Sequence, residues 1–111
     1  MFIRKGGRKI SVRKEKLVKF AHVMMHPVRY QIVQTLKGAR EPLYIAQIAK
    51  DLGVNRKLVS FHLSTLLQNG LVEGEYRLRR ESASGRSEKP VVVNYYKLTK
   101  KAERIILLFN L

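Results

Sequence analysis

Apolar residues recur along this chain with two different periods, and the change from one to the other divides it. Within residues 45–72, Ile45, Ile48, Ala49 and Leu52 stand at i, i+3, i+4 and i+7, the spacing of one helix face. Gly53 follows at once and suits the left-handed residue that ends a helix. Val54 plugs the turn, and Asn55 is a good N-cap for a second helix. That helix, residues 55–69, sets Val59, Leu63, Leu66 and Leu67 on one face and Lys57, Ser60, Phe61, Ser64 and Gln68 on the other. Asn69 and Gly70 end it. Two amphipathic helices around a glycine turn, the second offering a base, hydroxyls and an amide outward, predict a helix-turn-helix. The plainer reading is a helical hairpin with a solvated polar face, which leaves the coincidence of Ala49, Gly53, Val54 and that donor-rich face unexplained.

Upstream, Leu17, Phe20, Ala21 and Met24 form a stripe in a helix placed at residues 12–25 and capped by Ser11, and Val18, Val23 and Met25 widen it. Pro27 suits the first turn of a further helix, in which Val28, Ile32, Val33 and Leu36 face inward and Gly38 closes. Leu43 and Tyr44 add a short strand. After Gly70 the period falls to 2: Val72, Tyr76 and Leu78 alternate with Glu73, Glu75, Arg77 and Arg79, with a bulge expected at Gly74. Residues 81–89 form a polar loop, and residues 90–98, β-branched and aromatic, a second strand of this hairpin. Thr99 caps a last helix with Ala102, Ile105, Ile106 and Phe109 on one stripe and Leu107, Leu108 and Leu111 on another. The predicted order is α-α-β-α-α-β-β-α, a mainly α fold with a small β-wing (α+β). It is a winged helix-turn-helix over residues 11–111, preceded by a basic flexible arm at residues 1–10.

Charge narrows the class of partner. Among 111 residues, Lys and Arg number 23 against 8 Asp and Glu, a formal charge of +15. Such an excess costs self-repulsion and points to a polyanion, nucleic acid or an anionic surface. Residues 1–20 alone hold eight bases and one acid. The absence of cysteine excludes disulfides, thiolate metal sites and cysteine catalysis. No apolar run reaches membrane-span length and the N-terminus lacks a signal-peptide core, so a cytoplasmic, nucleoid-associated protein without membrane contact is expected. No carboxylate pair, nucleophile–base set or phosphate-cradling loop is apparent, so the chain is not read as an enzyme. His22 and His26 are four apart but lack a third ligand, and neither a metal nor a cofactor is expected.

The residues expected to meet DNA fall in three groups. The second helix of the helix-turn-helix supplies Asn55, Arg56, Lys57, Ser60, Phe61, His62 and Ser64. For His62, a phosphate contact and a packed, half-buried imidazole are comparable readings. Phe61 either meets a thymine methyl or packs against the turn. Arg29, near the start of its helix, suits either a phosphate or an internal acid. The hairpin supplies Arg77, Arg79, Arg80, Arg86 and Lys89, although Glu73, Glu75, Glu81 and Glu88 leave a solvated hairpin as the alternative. In the arm, Arg4, Lys5, Arg8 and Lys9 either follow a groove or belong to a solubilising tail. The double stripe of the last helix exceeds what one small core covers. Leu17, Phe20, Met24, Ile105, Leu108 and Phe109 are therefore expected at a two-fold dimer interface, unless the terminus folds back as extra core.

The combination of His26-Pro27-Val28-Arg29, Ile48-Ala49, Leu52-Gly53-Val54, Val59-Ser60-Phe61-His62-Leu63, Gly70-Leu71-Val72 and Tyr95-Tyr96-Lys97-Leu98-Thr99 resembles the ArsR-type winged helix-turn-helix regulators, over residues 22–108. The resemblance implies a dimeric repressor of pseudo-palindromic operators, with the first and last helices at the dimer interface. It implies that Arg56, Lys57, Ser60 and Phe61 face the major groove and that Arg77, Arg79, Arg80 and Arg86 belong to the wing. The chain departs from the family's metal sensors, since it has no cysteine and residues 99–111 contain no histidine. The expectation is a sequence-specific, dimeric DNA-binding transcription regulator, reading the major groove with helix 55–69 and the flanking backbone or minor groove with wing 76–95. A non-specific architectural DNA- or RNA-binding protein is the alternative, as is a protein-docking module of a transcription or replication assembly. The expected partners are double-stranded DNA and a second copy of the chain. The operator and any small-molecule effector are unknown from the sequence.

Overall fold

The computed structural model describes residues 11–80 and 90–111, side chains excepted at residues 11–14 and 80. Within them the chain forms α1 (Ser11–Met25), α2 (Pro27–Gly38), β1 (Leu43–Tyr44), α3 (Ile45–Leu52), α4 (Arg56–Gln68), β2 (Val72–Arg80), β3 (Pro90–Leu98) and α5 (Lys100–Phe109). The order is that expected from the sequence, with helix boundaries within a residue or two. The antiparallel sheet has the order β1-β3-β2, with Tyr44 opposite Tyr95 on one side of β3 and Val72 opposite Leu98 on the other.

Every helix contributes one stripe to a single core. Ala21 and Met24 come from α1, Ile32, Val33 and Leu36 from α2, Ile48 and Ala49 from α3, Val59, Leu63 and Leu66 from α4, and Ala102, Ile105 and Ile106 from α5. Leu71, Val72 and Leu98 close it where the hairpin begins. Burying a side chain of this size stabilises the fold by about 1.5–3 kcal/mol. Lys101 ties three elements together. Its Nζ lies 3.3 Å from the centre of the Phe20 ring and donates to the Asn69 carbonyl at 3.0 Å, where the negative end of α4 favours a cation.

Four expectations are corrected. Leu67, placed on the inner face of α4, is exposed, because the stripe through Val59, Leu63 and Leu66 already fills the width that α2 and α3 offer. Gly74 carries no bulge: it pairs directly with Tyr96 in an unbroken ladder from Val72–Leu98 to Arg80–Pro90. The glycine is needed for clearance, since a Cβ there would lie 2.7 Å from Asn94 Oδ1. Met24 and Ile105, expected at a dimer interface, are both 0% exposed within one chain. The short α1 and α5 stripes pack on each other, so those two side chains are core. The arm (Arg4, Lys5, Arg8, Lys9) and the loop residues Arg86 and Lys89 lie outside the described residues.

Candidate nucleic-acid interface

The turn between α3 and α4 sets the direction of the second helix. Gly53 adopts φ 68°, a left-handed value that a side chain would strain, and Val54 N–H donates to the Ala49 carbonyl at 3.1 Å. Val54 packs half-buried against the core. Asn55 then caps α4, its Oδ1 accepting from Leu58 N–H at 2.8 Å. The first turn of α4 has no acid to offset its positive end and instead carries Arg56 and Lys57, both exposed. Two cations on a helix N-terminus are unfavourable for the helix itself, and their field adds to that of the unpaired N–H groups. Along the same face Ser60, Phe61, Ser64 and Gln68 are exposed, the stripe expected from the 3.6-residue period.

Across from this helix stands the hairpin. An open cleft of about 840 Å³ is lined by Arg56, Lys57 and Ser60 of α4, Arg79 of β2, Val92, Val93 and Asn94 of β3, and Tyr44 with the start of α3. Arg79 lies over the Tyr44 ring at 4.5 Å, Arg77 over the Tyr95 ring at 5.1 Å, and the two rings meet edge to face at 5.3 Å. Arg77 also pairs with Glu75 at 3.4 Å on the surface, a contact of small energy in water. The aromatic pair therefore orders two wing arginines along one side of the sheet. Sequence reasoning missed Tyr44 and Tyr95 in this role, because the register that brings them together joins residues far apart in the chain.

His62 is the expected DNA-facing residue that the structure places elsewhere. Its side chain is 5% exposed, turned from the stripe toward α2. Arg29 Nη1 lies 3.2 Å from His62 Nδ1 while Arg29 Nε donates to the Val23 carbonyl at 2.7 Å. A guanidinium only donates, so Nδ1 must accept and the neutral ring carries its proton on Nε2. The His26 ring packs on His62 with centroids 4.6 Å apart, and His26 Nδ1 accepts from Val28 N–H at 3.3 Å as the cap of α2. Burial holds the His62 pKa below its usual value of 6.5, and the charges of His26 and Arg29 add to that. Arg29, for which a phosphate or an internal acid was expected, instead holds a carbonyl and an imidazole. Among the described residues no group of three or more His, Cys, Asp or Glu is placed to hold a metal ion.

Residues 26–74 match the family described as bacterial regulatory protein, arsR family. Over these residues the chain is similar to that family's helix-turn-helix. The match runs from the His26 cap through α3, the Gly53 turn and α4 into the first residues of β2. Among solved structures, the chain is similar to a homodimeric winged helix-turn-helix DNA-binding domain from Mycobacterium bovis, a possible ArsR-family transcriptional regulator. That match has 23% identity and a TM-score of 0.61, covering 90% of this chain and 80% of that one. It is also similar to the transcriptional repressor BigR of Xylella fastidiosa, at 22% identity, TM-score 0.64, and 91% and 87% coverage. A third similar structure is HlyU of Vibrio cholerae, at 23% identity, TM-score 0.57, and 88% and 92% coverage. No curated protein matches the sequence. The matched family is one of regulatory proteins, and the M. bovis and X. fastidiosa neighbours are a possible transcriptional regulator and a transcriptional repressor, not enzymes. Among the described residues, no helix is long and apolar enough to cross a membrane.

Proposed function

We propose that this ArsR-type protein is a sequence-specific, dimeric transcription regulator, and by resemblance a repressor. Its α4 enters the major groove, and the hairpin meets the flanking backbone or minor groove. The observation that carries this reading is the convergence of Arg56, Lys57 and Ser60 with Arg79 on one open cleft, whose lining among the described residues contains no acid. A phosphodiester strand fits such a cleft, and each neutralised phosphate adds affinity through counterion release. Asn55 caps the helix at this end, and Ser64 extends the polar stripe along the groove. Arg77 and Arg80 continue the wing's positive charge, and Arg86, Lys89 and the arm residues Arg4, Lys5, Arg8 and Lys9 belong to the same electrostatic footprint.

The dimer reading rests on the outer face of α1 and α5. Leu107 is 82% exposed, and Leu108, Met25 and Val18 are exposed beside half-buried Leu17 and Phe20. Phe109 of α5 is also partly exposed. Large exposed apolar side chains on two packed helices of a small domain are the kind of surface that associates. The M. bovis neighbour is homodimeric, and a two-fold copy here would set two α4 helices against successive half-sites. Such a regulator acts in the cytoplasm on the nucleoid.

Duplex binding at near-physiological salt tests the reading, comparing a site selected from genomic fragments with random DNA of equal length. A preference of about 10³-fold or more is expected, with Arg56→Ala reducing it. Equal affinities that collapse together as salt rises would favour a non-specific architectural protein, the reading that the +15 charge supports by itself. A monomer by sedimentation would instead favour a docking module that offers α5 to another protein.

A further inference from the structure

We infer that Phe61 reads the 5-methyl group of a thymine, which makes one exposed aromatic ring a determinant of base preference in this protein. The inference rests on the DNA-binding reading above. Phe61 is 64% exposed at the middle of α4, between Lys57 and Ser64 on a face that is otherwise polar. A large apolar side chain left in water adds little to the fold, and the core is complete without it. The ring is nevertheless held. Its centroid lies 5.1 Å from that of His62, the planes inclined at 76°, an edge-to-face contact. His62 is in turn fixed by Arg29 and packed on His26, so the exposed ring stands on a buried, hydrogen-bonded base. An aromatic side chain with few free torsions and a rigid support loses little entropy on binding.

The surroundings define what the ring meets. Arg56 and Lys57 call for negative charge, and Ser60, Ser64 and Gln68 for hydrogen-bonding edges, so the occupant is a polyanion with polar edges and one apolar group among them. In the major groove of DNA only thymine presents a methyl group, and it does so beside base-edge acceptors and phosphates. A protein surface matching Phe61 would have to bury the two cations as well, which costs more unless each is paired. The duplex satisfies all three demands.

The test uses the full-length chain and a duplex site selected from random sequence. Each thymine of the site is replaced in turn by deoxyuridine, which removes the methyl and nothing else. At one position per half-site, replacement is expected to weaken wild-type binding about fourfold, the worth of one buried methyl. Phe61→Ala should bind the unmodified site more weakly by a similar factor and lose that discrimination, while Phe61→Leu should keep part of it. Equal sensitivity of wild type and Phe61→Ala to every replacement overturns the inference, as does a site in which no replacement matters. Dissociation of the Phe61→Ala dimer at unchanged melting temperature overturns it too, by assigning the ring to a protein interface. Failure to select any preferred site would sink the sequence-specific reading itself, and the inference with it.

Discussion

Buried His62, set against half-buried Arg29 and exposed His26, should make the stability of this fold depend on pH in a range where most proteins are insensitive. Three groups able to carry positive charge meet between α2 and α4, and among the described residues no carboxylate pairs with any of them. Because folding lowers the His62 pKa, the unfolded chain takes up this proton before the folded one does. Stability is then full above the unfolded value of 6.5 and is lost as pH falls from there through the lowered folded value. Protonation would also turn Nδ1 from acceptor to donor and set an imidazolium 3.2 Å from the Arg29 guanidinium. The loss cannot exceed about 1.4 kcal/mol per pH unit for one proton, so moving from pH 7.5 to 5.5 costs at most about 1.4 kcal/mol. For a domain of this size that is about 5 °C in melting temperature. The informative variant is His62→Gln, whose amide oxygen can still accept from Arg29 but does not titrate in this range. Urea or thermal unfolding of both proteins between pH 5.5 and 8 should give a curve that falls on the acid side for wild type and is nearly level for His62→Gln. Parallel curves would refute the reasoning, since they would assign the acid sensitivity to groups other than His62.

Four further outcomes follow from single side chains. Thr99→Val should destabilise by about 1–2 kcal/mol in thermal melts, because the hydroxyl both accepts from Ala102 N–H at 3.1 Å and donates to the Gly70 carbonyl at 2.7 Å. Gly74→Ala should cost about 1 kcal/mol by displacing the Asn94 amide, which donates to Tyr96 Oη at 3.1 Å; in an Asn94→Ala background most of that cost should vanish, read as a double-mutant cycle. Ile105→Ala, in the core, should lower stability by about 2–5 kcal/mol at any protein concentration. Leu107→Ser, on the exposed side of the same helix, should leave the monomer's fold intact and shift sedimentation toward monomer.

What was legible in the sequence followed the reach of each signal. The glycine turn at Gly53, the Asn55 and Thr99 caps and the stripe of α4 are decided by neighbours within four residues, and they stand where the periodicity and capping rules put them. The corrections arise where a distant element decides. Leu67 shares the apolar character of Leu63 and Leu66, yet periodicity says only which residues share a side of a helix, and the width of the partner decides how many of them are covered. Gly74 reads as a bulge along one strand, whereas its reason is the Asn94 side chain on the next. His62 stands on the border of the two faces of α4, where both a phosphate and the interior are within reach of a rotamer. Its side is chosen by Arg29, 33 residues earlier, which is itself oriented by the Val23 carbonyl at the end of α1. That chain of contacts also links the exposed stripe to the core. Phe61 rests on His62, and His62 on Arg29, so the exposed aromatic ring and the buried imidazole share one support.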